Sequence, residues 1–411
     1  MSVTALPPPT DRHTLVAQAR QALRAGTAAE AARATAMPPA PAGLEPWITR
    51  SWQRCLSSGL QPTQRVVFDA VSAAALRRTH EQHHSLLQAA RPVLEQLART
   101  ITGMRYFALL TDAHGIVLAV QGLHGLPADG DPRARAIARV GINLSEAAVG
   151  TTAIGAALTE LQAVWLHRGE HFFEDNTCYS CAGAPLFDPW GRCMGMLDLT
   201  GVDVPERPEL RHLAVRSARA IEDALLLQQP HALLLRVNWP GSPLGAGGGL
   251  LVLGADGQVL GSNGMARQLM PLPQLPPGTA LHWSHLCALP WGLLLGAAQQ
   301  AARHGPAPLE LPLWSGLRLH GLALLAAPQR TLVAVAEVAE VAAAPGTPGT
   351  PGTPGASVET AAAVPTPLRE TETALIRQAV LAARGNVAQA ARALGISRAT
   401  VYRKLGNLKK P

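Results

Sequence analysis

The chain has 411 residues, enough for two or three domains at ~150 residues each. Hydrophobic residues make up 47% and charged residues only 15%, which excludes wholesale disorder. The net charge is +7; no apolar run approaches the ~20 residues of a membrane-spanning helix, no basic start leads into an apolar leader, and five Cys without an export signal do not make a disulfide framework, so the expectation is a cytoplasmic protein with no membrane partner.

Residues 11–33 are Ala-rich and helix-prone, and Pro38, Pro39 and Pro41 end that stretch. Residues 47–65 spell a short amphipathic helix with Trp47, Ser51, Trp52 and Cys55, capped near Gly59. Residues 71–101 show helical spacing through Leu76, Leu86, Leu87, Val93, Leu94 and Leu97. Period-2 patterns at 106–112 and 116–122 predict a hairpin. Residues 141–158 mix Gly-containing turns with a short helix, and 163–167 is a strand. Segments 184–188 and 192–201 around the turn at 189–191 form a second hairpin. Residues 209–229 form a long amphipathic helix with Leu210, Ala214, Ile221 and Leu225 as its packed face, stopped by Pro230. This order describes an α+β domain on an antiparallel sheet.

Residues 231–342 read as a second α+β unit. Segment 249–263 is a strand, an Asp256-Gly257 turn and a strand. Helices follow at 265–270 and 291–304, then strands at 309–327 and 331–341. The repeat GTPGTPGTPG at 346–355 marks residues 343–367 as a linker.

From Arg369 to Pro411 nine basic residues face two acids, which accounts for the whole net charge of the chain. A basic block at the end of a neutral body is the footprint of a polyanion partner. All three Lys (Lys404, Lys409 and Lys410) lie there. A P-loop needs a Lys after a Gly-rich turn, so a Walker-type ATPase is excluded. The tail divides into helices at about Leu368–Ala383, Val387–Leu394 and Ser397–Leu408, with Gly395 in the tight turn and Ser397 as the last N-cap. In such an arrangement the start of the last helix meets base edges while flanking basic groups hold phosphates. The residues so placed are Arg392, Ser397, Arg398, Ala399, Thr400, Tyr402, Arg403 and Lys404. Arg398 suits guanine, and Ala399 or the Thr400 methyl suits thymine.

The segment GNVAQAARALGISRATVYRKL (385–405) closely resembles the Fis-type helix-turn-helix of bacterial enhancer-binding regulators. That resemblance implies a homodimer on double-stranded DNA. Three further segments, SWQRCLSSGLQP (51–62), GINLSEAAVGTTAIGAAL (141–158) and CYSCAGAPLFDPWGRCMGMLDLTG (178–201), resemble the sensory half of AcoR-type regulators, built on a GAF domain. LLVLGADGQVLGSNGMARQLM (250–270) is similar, more weakly, to a degenerate PAS domain. The implied organisation is an N-terminal extension (1–46), a GAF-like sensor (47–229), a PAS-like domain (230–342), the linker (343–367) and the helix-turn-helix (368–411). Family members normally carry a central ATPase acting on sigma-54 polymerase; this sequence has no Lys for one. Site occupancy, repression, or partnership with a full-length sigma-54 activator are the routes that remain.

Four residues stand out as sensor candidates: Cys178, Cys181 and Cys193, with His171 nearby in sequence. Together they supply the N/S ligands of a metal site, with Cys178 and Cys181 as its centre, or a thiol pair that switches by oxidation. The plainer alternatives are core packing and contact with a small organic effector. No resident cofactor is expected otherwise. Two further functions compete with transcription control: a GAF-fold thiol reductase acting on methionine sulfoxide, and a metal-binding scaffold. HEQHH (80–84) matches H-E-x-x-H through His80, Glu81 and His84 but lacks a downstream ligand beyond a speculative Glu95; solvent display on one continuous helix is expected. GAGGG (245–249) fails the dinucleotide pattern at Leu250. Asp112, Asp188 and Asp198 are expected as turn formers, and Met194, Met196 and Leu197 as core.

Overall fold

The computed structural model describes residues 12–30, 44–123, 131–245, 247–270 and 279–326. The linker, the 331–341 segment and the three tail helices lie outside the described residues. Within these, two five-stranded antiparallel sheets carry the cores, each flanked by helices.

The N-terminal helices are α1 (Arg12–Glu30) and α2 (Pro46–Ser57), the latter started by Pro46 and followed by Gly59 at φ +83°. The single helix expected over 71–101 is two: α3 (Ala73–Gln82), N-capped by Ser72, and α4 (His84–Thr100), broken at His83. Then come β1 (Tyr106–Asp112), β2 (Val117–Gln121), α5 (Pro132–Ile137), α6 (Glu146–Val149), α7 (Ala153–Glu160), β3 (Val164–His167), β4 (Tyr179–Phe187), β5 (Cys193–Val202) and α8 (Leu210–Leu227). The sheet order is β2-β1-β5-β4-β3.

Period-2 alternation sends one set of side chains to each face of this sheet. Ala108, Leu110, Ala182, Ala184, Leu197 and Leu199 pack under Leu86, Leu94 and Leu97 of α4 and Ala214, Ala218 and Ile221 of α8. Phe107, Leu109, Tyr179, Cys181 and Met196 face α2 and α7, through Trp47, Ile48, Trp52, Ala153 and Ala157. Because both faces are covered, β4 is buried along almost its whole length. Strands buried on both faces lose the alternating pattern that marks half-exposed ones, which is why β4 begins five residues earlier than the hairpin reading placed it. Gly195 is required here: a Cβ would lie 2.1 Å from the Thr111 carbonyl oxygen on β1.

The second sheet holds β6 (Leu233–Asn238), β7 (Gly249–Leu253), β8 (Val259–Ser262), β9 (Leu309–Pro312) and β10 (Arg318–Leu325) in the order β8-β7-β6-β10-β9, with α9 (Gly264–Leu269) and α10 (Trp291–His304). The Asp256-Gly257 turn joins β7 to β8, with Gly257 at φ +85°. Residues 309–325 form two strands, because Gly316 at φ +84° turns the chain back. One face packs Leu235, Leu251, Leu253, Leu311 and Leu319 against Trp283, Leu294 and Ala298. The other receives Leu226 of α8 on Leu234, Leu250 and Val252. The two sheets therefore share α8. Pro189 O in the β4–β5 turn accepts the Ser262 N–H at 2.9 Å, Glu222 Oε1 accepts the Phe187 N–H at 2.9 Å, and Asn263 Nδ2 donates to Asp223 at 2.8 Å. Burial pushes the Glu222 carboxyl up to about 7. Among the described residues no helix is long and apolar enough to cross a membrane.

Candidate functional site

Two of the three sensory-type sequence segments meet in space. Ser51 Oγ, on α2, donates to Glu146 Oε2 at 2.5 Å and lies 2.7 Å from Thr151 Oγ1. Arg54 grips Glu146 through Nε at 2.6 Å and Nη2 at 2.9 Å, and reaches Glu160 at 2.9 Å. Arg50 also pairs with Glu160. Bidentate Arg–carboxylate geometry fixes orientation as well as charge, so α2 holds α6 and α7 in place. The residues that follow Thr151 then form one wall of an interior cavity.

That cavity, about 20 Å³, lies on the α2/α7 side of the first sheet. Its polar residues are Thr152, His171, Asn176, Tyr179, Cys181, Asp198 and Thr200, and Phe68, Leu109, Ile137, Leu144, Ala153 and Ile154 complete the lining. Strand register explains the cluster. Cys181 on β4 pairs with Thr200 on β5, and Asp198 lies between Leu109 on β1 and Gly183 on β4. A Cβ on Gly183 would lie 2.4 Å from Met196 Cε, so the bare glycine leaves that side chain its space. The third sensory-type segment thus supplies the floor.

Asp198 is not the turn former expected from sequence. It sits mid-strand with no exposed surface. Thr200 Oγ1 donates to its Oδ2, while Oδ1 has no hydrogen-bond partner. Burial pushes its carboxyl up to about 7, with the Thr200 bond pulling back. Asn176, in the short turn Glu174–Cys178, donates Nδ2 to Val149 O at 3.0 Å, and its Oδ1 is also without a partner. His171 is fully buried and bonded through Nδ1 to Arg168 O at 2.9 Å. A carbonyl only accepts, so Nδ1 carries the proton and Nε2 is an acceptor. Nε2 faces Cys181 Sγ at 3.6 Å. Burial lowers the imidazole to about 4 and pushes the Cys181 thiol well up. Tyr179 donates its hydroxyl to Arg133 O at 3.0 Å. The cavity surface is mostly apolar and has no cationic side chain, and beside it lie two unsatisfied buried oxygens where about nine in ten buried polar atoms are paired.

Of the four sensor candidates, the structure brings His171 and Cys181 together and leaves the others apart. Cys193 starts β5 opposite Phe187, six residues along β4 from Cys181, about 20 Å at the rise of a strand. Cys178 closes the preceding turn, with Sγ directed to Asp175 O at 3.7 Å. Three extended residues separate its Cα from that of Cys181 by about 10 Å, beyond the ~7 Å limit for a disulfide, and all five cysteines are free. Among the described residues no group of three or more His, Cys, Asp or Glu is placed to hold a metal ion. A thiol enzyme needs a lowered thiol, whereas burial raises Cys178, Cys181 and Cys193 alike. The His80 and His84 of the H-E-x-x-H match lie on different helices, divided at His83. Glu81 and His84 are exposed and His80 is half-buried.

The sequence reasoning missed Asp198, Asn176 and Thr152. For Asp198 a signal was available: a charge inside MLDLTG, two residues from Met196 and from Thr200, must face the same side of the sheet as they do. Asn176 and Thr152 sit on irregular turns, where no periodicity announces direction.

Comparison with known proteins shows what the chain is similar to. Residues 26–223 match the family described as MimR, N-terminal domain, and residues 367–408 match bacterial regulatory proteins of the Fis family. The chain is a homologue of the AcoR and MimR transcriptional activators, which are regulators rather than enzymes. It is 30% identical over 235 residues to the acetoin catabolism regulatory protein of Cupriavidus necator, covering 54% of this chain and 34% of that one. It is 31% identical over 189 residues to the acetoin dehydrogenase operon transcriptional activator AcoR of Bacillus subtilis, covering 45% and 30%. The aligned parts thus span about a third of these relatives' own length. A chain of the E. coli DhaR(N)–DhaL complex is similar at 17% identity and a TM-score of 0.40, over 69% of this chain and all of that one.

Proposed function

We propose that the protein is a sequence-specific DNA-binding regulator in which a GAF-like domain senses a small organic effector, a PAS-like domain and α8 relay the state, and the Fis-type tail reads the operator. The observation that carries this reading is the pairing, in one chain, of a MimR-type N-terminal domain and a Fis-family segment. The effector site is the interior cavity, with Asp198, Asn176, His171 and Cys181 as its contacts. Its mostly apolar surface, with the unpaired Asp198 Oδ1 and Asn176 Oδ1 beside it, supports a small molecule bearing hydrogen-bond donors, in keeping with relatives named for acetoin. DNA contact falls to Arg392, Ser397, Arg398, Ala399, Thr400, Tyr402, Arg403 and Lys404, in a cytoplasmic homodimer. With no Lys before position 404, these 411 residues act by occupying their site, by repression, or beside a sigma-54 activator that has its own ATPase.

Operator fragments selected with the purified full chain test the reading. Affinity should fall steeply with salt, because basic residues displace counterions from phosphate. Arg398→Ala should cost about 1–3 kcal/mol on operator and relax base choice, whereas Lys404→Ala should weaken operator and random DNA alike. Equal losses on both DNAs for both variants would overturn the assignment of roles. Retained operator affinity in a chain ending at residue 366 would overturn the function itself.

A further inference from the structure

The interior cavity is too small for an organic effector as it stands, so one of its walls must move. The sheet is held by strand ladders, and α7 is held by the Arg54 and Ser51 network. Two walls remain, one of Phe68, Ile137 and Leu144 and one of residues 168–177; the second has no sheet or long helix of its own and is the one that also borders an outer cleft. It begins at Arg168, whose φ of +50° strains a residue bearing a Cβ. It passes through two short helical turns, Arg168–Glu170 and Glu174–Cys178.

This wall has two sides. His171 and Asn176 face the interior cavity, while Gly169, Glu170, Glu174 and Thr177 line an outer cleft of about 670 Å³, a volume that suits a small organic molecule. The opposite bank of the cleft is α1, through Arg12, His13, Val16, Ala17 and Arg20. The helix is fastened to the wall at three points. Arg20 donates to the carbonyls of Gly169 at 2.7 Å, His171 at 2.5 Å and Phe172 at 3.1 Å. Arg12 binds the buried Glu170 through Nε at 2.8 Å, its guanidinium 4.3 Å from the Trp165 ring. Val16 is buried, 3.1 Å from where a Cβ on Gly169 would lie.

We infer that residues 168–177 are a gate between the outer cleft and the interior cavity, and that α1 is the latch that holds it shut. One guanidinium grips three consecutive-region carbonyls of a segment whose side chains form the cavity wall, so loosening α1 frees the wall without disturbing the sheet. The gate rests on the reading of the interior cavity as the effector site.

Cys181, on the far side of the wall, reports its opening. Full-length protein is treated with N-ethylmaleimide and labelling is followed by peptide mass mapping, with the buried Cys287 of the second sheet as reference. In Arg20→Ala the loss of charge-assisted bonds should speed labelling of Cys181 by about ten-fold through local opening, with Cys287 unchanged. Labelling of Cys181 no faster than in the parent overturns the latch. If Cys181 and Cys287 accelerate together the variant has unfolded, and the double variant Val16→Cys/Gly169→Cys decides. Its disulfide should slow amide exchange over 171–178 by about ten-fold relative to its reduced form; equal exchange in both forms overturns the proposal. Neither measurement needs an effector, so failure of the gate is separable from failure of the sensory reading. The latter shows as DNA affinity that ignores mutation of Asp198 and Asn176.

Discussion

The two sheets are alike in strand number and antiparallel pairing, yet their cores are chemically opposed. On the α10 side of the second sheet the core is made of Leu, Val, Ala, Met, Trp and Cys, with Trp283 fully buried at its centre. Inside the first, Asp198, His171, Asn176, Thr200 and Thr151 are all buried to within 1%. A polar group taken out of water without a partner costs free energy that an apolar side chain of the same shape does not. The first sheet therefore carries a burden the second avoids, and two of its oxygens remain unsatisfied. Such burdens persist where function requires them, which separates a domain built to bind from one built to pack.

The largest effect that tests this contrast is Trp283→Ala. Removing a fully buried aromatic from a dry core should cost about 3–5 kcal/mol, read as a lower denaturant midpoint for the second sheet. Hydrogen exchange in β1, β4 and β5 should change far less. A small cost would mean that the second core is as loosely specified as a binding site, and the contrast would fail.

Asp198→Asn sharpens the contrast through pH. The Asp198 carboxyl titrates near 7 in the fold and near 3.8 when unfolded, so the folded state holds the extra proton between those values. Its contribution is fully present below about 4 and is lost as pH rises through 7. His171 behaves oppositely. Lowered from 6.5 to about 4, it supports the fold above 6.5 and loses that support as pH falls toward 4. The two slopes oppose each other between pH 4 and 6.5. Relative to the parent, Asp198→Asn should therefore gain stability on going from pH 4 to pH 8, by on the order of 2–3 kcal/mol. His171→Gln should show the reverse sign. A flat difference in urea melts across that range would show that Asp198 is solvated.

Arg54→Ala comes next. It takes away the cationic partner of the largely buried Glu146 and leaves Glu160 paired with Arg50, and because Arg54 itself is partly exposed the cost should be about 1–2 kcal/mol. Faster amide exchange should be confined to α6 and α7. A change spread evenly over both sheets would contradict the buttress role of α2.

How much of this was written in the sequence follows from where side chains alternate. Amphipathic helices such as α8 were legible to within two residues, and its expected face of Leu210, Ala214, Ile221 and Leu225 is buried. The β1–β2 and β7–β8 hairpins declared themselves through period-2 runs and Gly turns. The central β5, expected at 192–201, is found at Cys193–Val202, but two other strands were not so legible. The first half of β4 has no exposed face, and β6, a short apolar run directly after α8, was passed over altogether. The break at His83 replaced one helix by two, with Pro92 inside the second and no breaker at the break itself. The candidate site was half legible: proximity in sequence put His171 beside Cys181, but the same logic drew in Cys178 and Cys193, because strand length is invisible until pairing is known. Asp198 was misjudged as a turn residue because Asp usually is one.

The smallest expected effects separate the cysteines. Cys181→Ser and Cys193→Ser each change one atom, and each should alter stability by about 1 kcal/mol or less. Their readouts differ nonetheless. Cys181 Sγ stands 3.6 Å from His171 Nε2, and a hydroxyl there is a stronger donor on a shorter arm, so the imidazole signals of His171 in the NMR spectrum should move. Cys193 directs its thiol to the Gly195 carbonyl at 3.5 Å, at the other end of the strand pair, and its replacement should leave those signals in place. Movement caused by Cys193→Ser would mean that the two ends of β4 and β5 communicate, and the cavity would then have to be redrawn to include the β4–β5 turn that touches the second sheet.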